Sequence, residues 1–318
     1  MDLSIIIVNW NSAGYVRQCL ASLYKNTENL KFEIIVVDNA SYDGCREMLK
    51  KEFPDVRYVQ NEKNSGFSQA NNLGCQVASG KNVLFLNPDT EIIGNALAVM
   101  HAHLNSWRDA GAIGCKLLNS DLTLQTSCIQ AFPSILAQAL DADILRRLFP
   151  RFQLWGMRPL FAPPGTPAEV EVVSGACLMV KRDILEKAGF FSTEYFMYAE
   201  DVDLCYKIKQ KGFKVYYTDA ATVVHHGGKS TQKKPDTFES IILQRESTTK
   251  FLKKTRGKSY AKLYKISMAI VALVRLILIF GIGFFTKIDP KNHLRKFSFR
   301  KWKLILRWSL GLAEVAKH

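Results

Sequence analysis

Of 318 residues, 47% are apolar, which excludes a disordered polymer and leaves room for two domains, or one large domain with an appendage. The formal net charge of +14 sits at one end. Residues 246–318 hold 17 of the 43 Lys and Arg but 3 of the 29 Asp and Glu, so residues 1–245 balance at 26 of each. A basic tail on a neutral body implies an anionic partner for the tail alone.

In chain order, residues 3–8 are a β-branched and aliphatic run, the pattern of a strand buried on both faces. Asn11-Ser12 offers a cap for a helix over 15–25, with Val16, Leu20 and Leu23 on one side. A second buried strand over 33–37 ends at Asp38, and the Asp43-Gly44 turn leads into a helix over 46–51. A strand over 56–59, a helix over 68–78 and a strand over 83–86 follow. Strands alternating with helices through short loops predict an α/β fold on a doubly wound parallel sheet, in which ligands bind at the carboxyl ends of the strands. Asn9, Asp38, residues 61–66 and residues 87–89 all fall there.

Further on, the pattern predicts a helix over 94–106 and a strand over 112–118. Residues 119–168 read as irregular, with prolines at 133, 150, 159, 163, 164 and 167, and suit a loop or lid near an acceptor. A strand over 170–180 is interrupted at Ser174-Gly175. A helix over 183–188 leads to an aromatic stretch over 190–198, and a helix over 201–211 ends at Gly212. Short strands over 214–217 and 222–224 run into His225-His226-Gly227-Gly228. The seven cysteines are scattered, with no Cys-x-x-Cys pair, and read as small buried hydrophobes in a reducing compartment. No basic stretch with a small-residue cleavage site precedes the first strand, so secretion is not expected.

The tail has its own character. Residues 266–285 are almost wholly apolar, with Arg275 as the one internal charge and Lys262, Lys265 and Lys287 at the edges, a length that suits a membrane span. Arg275 near the middle costs roughly 3 kcal/mol on insertion scales, which leaves room for a shallow or re-entrant helix beside a span. Over 294–312, Lys296, Arg300, Lys303 and Arg307 share one helical face, and Leu294, Phe297, Leu304, Ile305, Trp308 and Leu312 share the other. That opposition predicts a helix lying in an anionic lipid interface. A nucleic-acid partner is not expected, because it would leave these apolar faces in water.

Two acidic clusters carry the chemistry. Asn87-Pro88-Asp89 ends the apolar run 82–86, and Glu200-Asp201-Val202-Asp203 lies far along the chain. A carboxylate at a buried strand's tip can hold a metal and phosphates, and a later one can reach the same crevice as a general base. That pairing suggests metal-assisted transfer from a phosphorylated donor. Each motif also has a structural reading: Asp38 as a turn cap, Asn-Pro-Asp as an ordinary turn, and the acids at 200–203 as charges complementing a helix N-terminus.

The segments VVDNASYDG (36–44), NEKNSGFSQANNLG (61–74), LNPDTE (86–91), VSGACLMV (173–180), YAEDVDL (198–204) and HHGGKS (225–230), with 4–11 before them, occur in the order found in family 2 glycosyltransferases. Residues 2–235 resemble that family, and most closely its bacterial rhamnosyltransferase-like branch. The resemblance implies a GT-A fold with a Rossmann-like, mostly parallel sheet, an inverting mechanism and a nucleotide-sugar donor. It divides the body into a nucleotide-sugar-binding half (1–118) and an acceptor-binding and catalytic half (119–235), before the helical membrane-associating tail (236–318) that the charge and apolar pattern predict. It implies that Asp38 bonds the donor's pyrimidine and that Val8, Asn9 and Trp10 wall the base site. Asn64, Gly66, Asn71, Asn72 and Asn87 then contact the donor. Asp89, in a motif whose first acid is here Asn87, and His225 would hold Mg²⁺ or Mn²⁺. Asp201 becomes the base, with Glu200 as its rival, and Asp203 a helix-start charge. Gly227 and Gly228 would admit phosphate oxygens close to the backbone.

These readings lead to an inverting, metal-assisted hexosyltransferase at the cytoplasmic face of the membrane. It would move a sugar, rhamnose before others and from dTDP rather than UDP, to a lipid-linked or cell-surface glycan. The Gln-x-x-Arg-Trp motif associated with processive members is absent, so one residue per event is expected. The alternative is a membrane-tethered nucleotide-sugar-binding protein with an inactive site, suggested by Asn87.

Overall fold

The computed structural model describes residues 1–141, 143–163, 165, 167–227, 238–285 and 293–313. They cluster into two units: Met1–Phe132 with Phe149–Pro235, and Pro133–Leu148 with Asp236–His318. Residues 133–148, read from the sequence as part of the 119–235 half, thus group with the tail.

The first unit is an α/β domain on one large mixed sheet. It begins β1 (Leu3–Asn9), α1 (Ala13–Asn26), β2 (Phe32–Asp38), α2 (Cys45–Glu52), β3 (Arg57–Gln60), α3 (Gly66–Val77), β4 (Asn82–Leu86) and β5 (Thr90–Ile93). Then come α4 (Ala96–Ser106), β6 (Ala110–Leu118) and β7 (Ile129–Gln130). Two short helices of the other unit intervene, α5 (Ile135–Ala139) and α6 (Asp143–Leu148). The domain closes with β8 (Ala168–Val170), β9 (Val172–Val173), β10 (Cys177–Lys181), α7 (Arg182–Ala188), α8 (Glu200–Gln210) and β11 (Lys214–His225).

The strand order is β3-β2-β1-β4-β10-β6-β11-β5, with β8 on β11. The four strands β3, β2, β1 and β4 pair in parallel and form the Rossmann-like half. The residues of β1, β2 and β4 are mostly aliphatic because helices cover both faces, whereas the edge strand β3 (Arg57–Gln60) is half-buried to exposed; Leu3, Ile5, Ile6 and Ile7 of β1 are fully buried. α1 buries Val16, Cys19, Leu20 and Leu23, the helical stripe that the sequence pattern predicts. Beyond β4, β10 runs antiparallel to both β4 and β6, while β11 pairs in parallel with β6.

Two differences from the predicted elements have local causes. The strand expected over 170–180 is three strands, because the turn around Ser174–Gly175 lets β9 pair with β7 while β10 joins the central sheet. The two strands expected over 214–224 are one, β11, whose register against β6 slips between Thr218 and Thr222. A bulge there supplies the polar residues that look like a break.

The second unit adds α9 (Phe238–Arg256), α10 (Lys258–Phe285) and α11 (His293–Ser309) to α5 and α6. α10 and α11 pack antiparallel, since Lys265 lies 5.1 Å from the Trp308 ring centre and Arg275 lies 4.6 Å from that of Trp302. Ile305 and Trp308, expected in lipid, are instead buried within the unit together with Trp302. Arg275 also donates to the Asp141 carbonyl (3.2 Å), which accounts for a guanidinium inside an apolar run. Buried Arg245 donates to Gln138 and to the Tyr264 hydroxyl, tying α5 to α9 and α10.

Candidate active site

A cavity of about 340 Å³ opens at the carboxyl ends of the parallel strands. Of the residues singled out in the sequence, Val8, Trp10, Asn64, Gly66, Asn87, Glu200, Asp201 and His225 line it. Ser12, Asn39, Phe67, Pro88, residues 174–176 and residues 196–198 complete the wall. The rest of the expected set lies outside the lining, each for a physical reason.

Asn9 and Asp38 are buried in a network of their own. Asn9 Nδ2 donates to Asp38 Oδ2 (2.9 Å), Ser41 Oγ (3.1 Å) and Asp43 Oδ1 (3.1 Å), and Asn9 Oδ1 accepts from Ser12 Oγ (2.9 Å). Asp38 Oδ1 accepts from the Ser41 N–H (2.7 Å). The pair braces the loops that present Ser12 and Asn39. Asn39 Nδ2 donates to Asn64 Oδ1 (2.8 Å), and its Oδ1 accepts from Asn61 and from the Ser65 N–H. Asn71 Nδ2 donates to its own helix at the Phe67 carbonyl (3.0 Å). Asn72 exchanges two bonds with the Phe191 backbone (2.9 and 3.0 Å) and lines a separate surface groove. The side chains of Asn71 and Asn72 therefore hold α3 in place and do not face the cavity.

Gly66 opens α3 at φ +80°, and a Cβ there would meet the Phe196 carbonyl oxygen at 2.4 Å. The Phe67 N–H donates to that oxygen (2.9 Å), so only glycine lets the helix start touch the aromatic stretch.

Glu200 and Asp201 begin α8, after Tyr198 and Ala199, which both adopt left-handed backbone (φ +69° and +63°). Strain of this kind, about 1–3 kcal/mol per residue, clusters where a site needs a fixed geometry. Asp201 Oδ2 accepts from the Gly175 N–H (2.9 Å) and Oδ1 from the Val202 N–H (2.8 Å). Burial raises its pKa, and these N–H donors oppose the rise by favouring the charged form. Glu200 is 8% exposed, and its Oε2 has no hydrogen-bond partner. Burial, and then the Asp201 charge, push its carboxyl up to about 8. Asp203 is fully buried and accepts from Ser192 Oγ (2.6 Å) and the Tyr195 hydroxyl (3.4 Å), clamping the aromatic stretch to α8.

Across the cavity, Asn87 Nδ2 and Asp89 Oδ1 lie 3.2 and 3.5 Å from His225 Nε2. Asp89 is buried and meets the cavity through Asn87 and His225 rather than directly. A carboxylate oxygen beside an imidazole nitrogen is a donor set that suits a divalent cation, with diphosphate oxygens free to supply the remaining ligands. His226 is occupied elsewhere, its Nε2 2.8 Å from Glu91 Oε1 and its Nδ1 2.8 Å from Ser120 Oγ. Gly227 takes a positive φ, and Gly228 lies outside the described residues. Asp38, Asp43 and Cys45 form another group with cation-ligand spacing. There the carboxylates already accept from Asn9, Ser41 and the Ala13 N–H, so they are engaged in bracing the loops.

Sequence reasoning missed Asn39, Gly175 and Gln125. Asn39 follows Asp38 in the same motif and Gly175 sits at the strand interruption, so both carried a signal. Gln125, whose Oε1 lies 2.8 Å from His225 Nδ1, carried none.

Known proteins resemble this chain in sequence and in fold. The family described as "Glycosyl transferase family 2" matches residues 4–189. An N-acetylglucosaminyl-diphospho-decaprenol L-rhamnosyltransferase of Mycobacterium tuberculosis is 28% identical over 250 residues, 73% of this chain and 78% of that protein. Rhamnosyltransferase WbbL of Escherichia coli is 23% identical over 232 residues, 70% of this chain and 82% of its own. Among solved structures, the mannosyltransferase PcManGT of Pyrobaculum calidifontis, in complex with GDP-Man and Mn²⁺, aligns with a TM-score of 0.61 at 14% identity, over 98% of this chain and 86% of that one.

Proposed function

This chain belongs to glycosyl transferase family 2, in its rhamnosyltransferase-like branch and with a GT-A fold, and we propose that it transfers rhamnose, with inversion, from a dTDP-sugar to a lipid-linked glycan. Rhamnose and a polyprenyl-diphosphate-linked acceptor are supported by the relative from Mycobacterium tuberculosis, whose name specifies both. The observation that carries the mechanism is the Asp201 carboxylate. Two backbone N–H groups fix it at the wall of the cavity that Asn87 and His225 also line.

In this reading the donor's diphosphate lies toward Asn87 and His225, and its base toward Val8, Trp10 and Asn39. The acceptor hydroxyl lies against Asp201. As the hydroxyl oxygen attacks the anomeric carbon, its proton passes to Asp201, and the bond from that carbon to the diphosphate oxygen breaks from the opposite face. Asp89 and His225 would hold Mg²⁺ or Mn²⁺, which when bound neutralises charge on the departing nucleoside diphosphate. With its carboxyl pushed up to about 8, Glu200 can donate a hydrogen bond to the acceptor, leaving Asp201 to accept the proton. The basic, apolar second unit would keep the enzyme on the cytoplasmic membrane face, where lipid-linked acceptors are reached.

The test is Asp201→Asn, assayed with dTDP-rhamnose, Mn²⁺ and a lipid-linked acceptor. Nucleoside diphosphate release should fall by about 10²–10⁴-fold with donor affinity kept. Wild-type turnover in the variant would remove Asp201 as the base. Asn87, where the family motif has an acid, favours a second reading as a nucleotide-sugar-binding protein. Donor binding without turnover on any acceptor, in the wild-type chain, would support it.

A further inference from the structure

The His225 imidazole is gripped from behind by a loop that closes β6. That loop is self-contained: the Asn119 N–H donates to the Thr123 carbonyl (2.8 Å), and the Gln125 N–H to the Leu117 carbonyl (2.9 Å). It aims the Gln125 carboxamide at His225 twice. Oε1 lies 2.8 Å from ring Nδ1, and Nε2 lies 3.4 Å from the His225 carbonyl oxygen.

The remaining bonds decide which partner carries the hydrogen between Gln125 and the ring. Gln125 Nε2 also lies 3.0 Å from Asn119 Oδ1, so that end faces two acceptors and must be the NH₂ group. Asn119 Nδ2 in turn donates to Thr123 Oγ1 (2.9 Å), whose hydroxyl donates to Asp121 Oδ1 (2.6 Å). Asp121 is the anchor. The Thr123 hydroxyl and N–H hold its carboxyl below the usual range, and a carboxylate only accepts. Every donor therefore points toward Asp121, and the Gln125 carbonyl is left to accept from Nδ1–H. In the neutral ring the lone pair is then on Nε2, the nitrogen facing Asn87 Nδ2 and Asp89 Oδ1.

We propose that Gln125, backed by Asn119, Thr123 and Asp121, is a positioning residue that locks His225 in its Nδ1-protonated tautomer and so keeps Nε2 as a preformed ligand for the divalent cation. Without it the proton could move to Nε2 and bond the Asp89 carboxylate, closing the site against the ion. The role rests on the reading of His225 as a metal ligand, and partners of this kind contribute about 10–100-fold to metal affinity.

Two measurements on the full-length chain test it. ¹⁵N NMR of the metal-free, histidine-labelled protein, assigned by loss of signal in His225→Ala, should show a pyrrole-type Nδ1 and a pyridine-type Nε2. A pyrrole-type Nε2 in the wild-type protein overturns the proposal, and this measurement needs no folded variant at position 125. Mn²⁺ titration followed by electron paramagnetic resonance should show a dissociation constant raised about 10–100-fold in Gln125→Leu. Weakened binding in His225→Ala beside unchanged binding in Gln125→Leu would overturn the positioning role alone. Unchanged binding in His225→Ala would remove His225 from the metal site and the proposal with it.

Discussion

Glu200 and Asp201 are neighbours of the same chemical type whose surroundings separate their tasks. Asp201 accepts two backbone N–H bonds, which favour its anion. Glu200 has a buried oxygen without a donor, and the charge on Asp201 is the second cause of its rise to about 8, so Asp201 ionises first. This has a measurable consequence for stability. Above pH ~4.5 the unfolded chain releases the Glu200 proton while the folded chain keeps it, so the folded state binds more protons. Stability is then highest below that pH and falls as pH rises to about 8, where the folded state also lets the proton go. Urea unfolding curves from about pH 5 to about pH 9 should show a loss of roughly 3–5 kcal/mol from this group, absent in Glu200→Gln. An equal slope in both proteins would assign the proton elsewhere.

At the scale of elements, the start of α8 is held by the aromatic stretch before it, and that stretch is held by Gly66 and Asp203. Gly66→Ala should therefore destabilise the protein by about 2–4 kcal/mol, since the new Cβ meets the Phe196 carbonyl at a left-handed φ. Denaturant midpoints with an unchanged slope would measure it. A loss below about 0.5 kcal/mol would show that the contact relaxes freely. The sequence makes β1, β2 and β4 legible, because strands covered on both faces must be continuously apolar, and it makes α8 legible through its leading acids. It conceals α9, whose buried face includes Arg245, Ser247 and Thr248 and so blurs the apolar stripe. β5 is hidden for another reason: its four residues follow directly on the Asn-Pro-Asp turn. At the site, polar strand ends were found by position, but whether they face a ligand or brace a loop depends on partners far along the chain. Asn9 turns to Asp43, and Asn72 to Phe191, 119 residues on. Gln125 reaches His225 across 100 residues, and no local pattern signals such a contact.

For the molecule as a whole, the proposed membrane setting rests on the second unit. The stretch Lys258–Gly281 is long and apolar enough to cross a bilayer, its most apolar window having a mean hydropathy of 2.2. Its packing argues for lying in one leaflet instead. Ala261, Tyr264, Met268 and Ala272 are buried on one side of α10, and α11 runs back along the helix with Arg300, Lys303 and Arg307 exposed. A spanning α10 would draw these charges into hydrocarbon at about 2.5–3.5 kcal/mol each. Lying flat, the pair puts the exposed stripe of Ile266, Ile270, Ile277 and Phe280 among acyl chains and the basic side chains among headgroups. The full-length protein should then float with anionic liposomes, less so in high salt. Ile270→Glu with Ile277→Glu should abolish flotation while turnover on a soluble acceptor analogue persists. Sidedness gives the decisive readout. In sealed vesicles with the cytoplasmic face outward, a protease site inserted between α10 and α11 should be cut from outside. Protection of that site until detergent is added would mean that the helix pair crosses the bilayer.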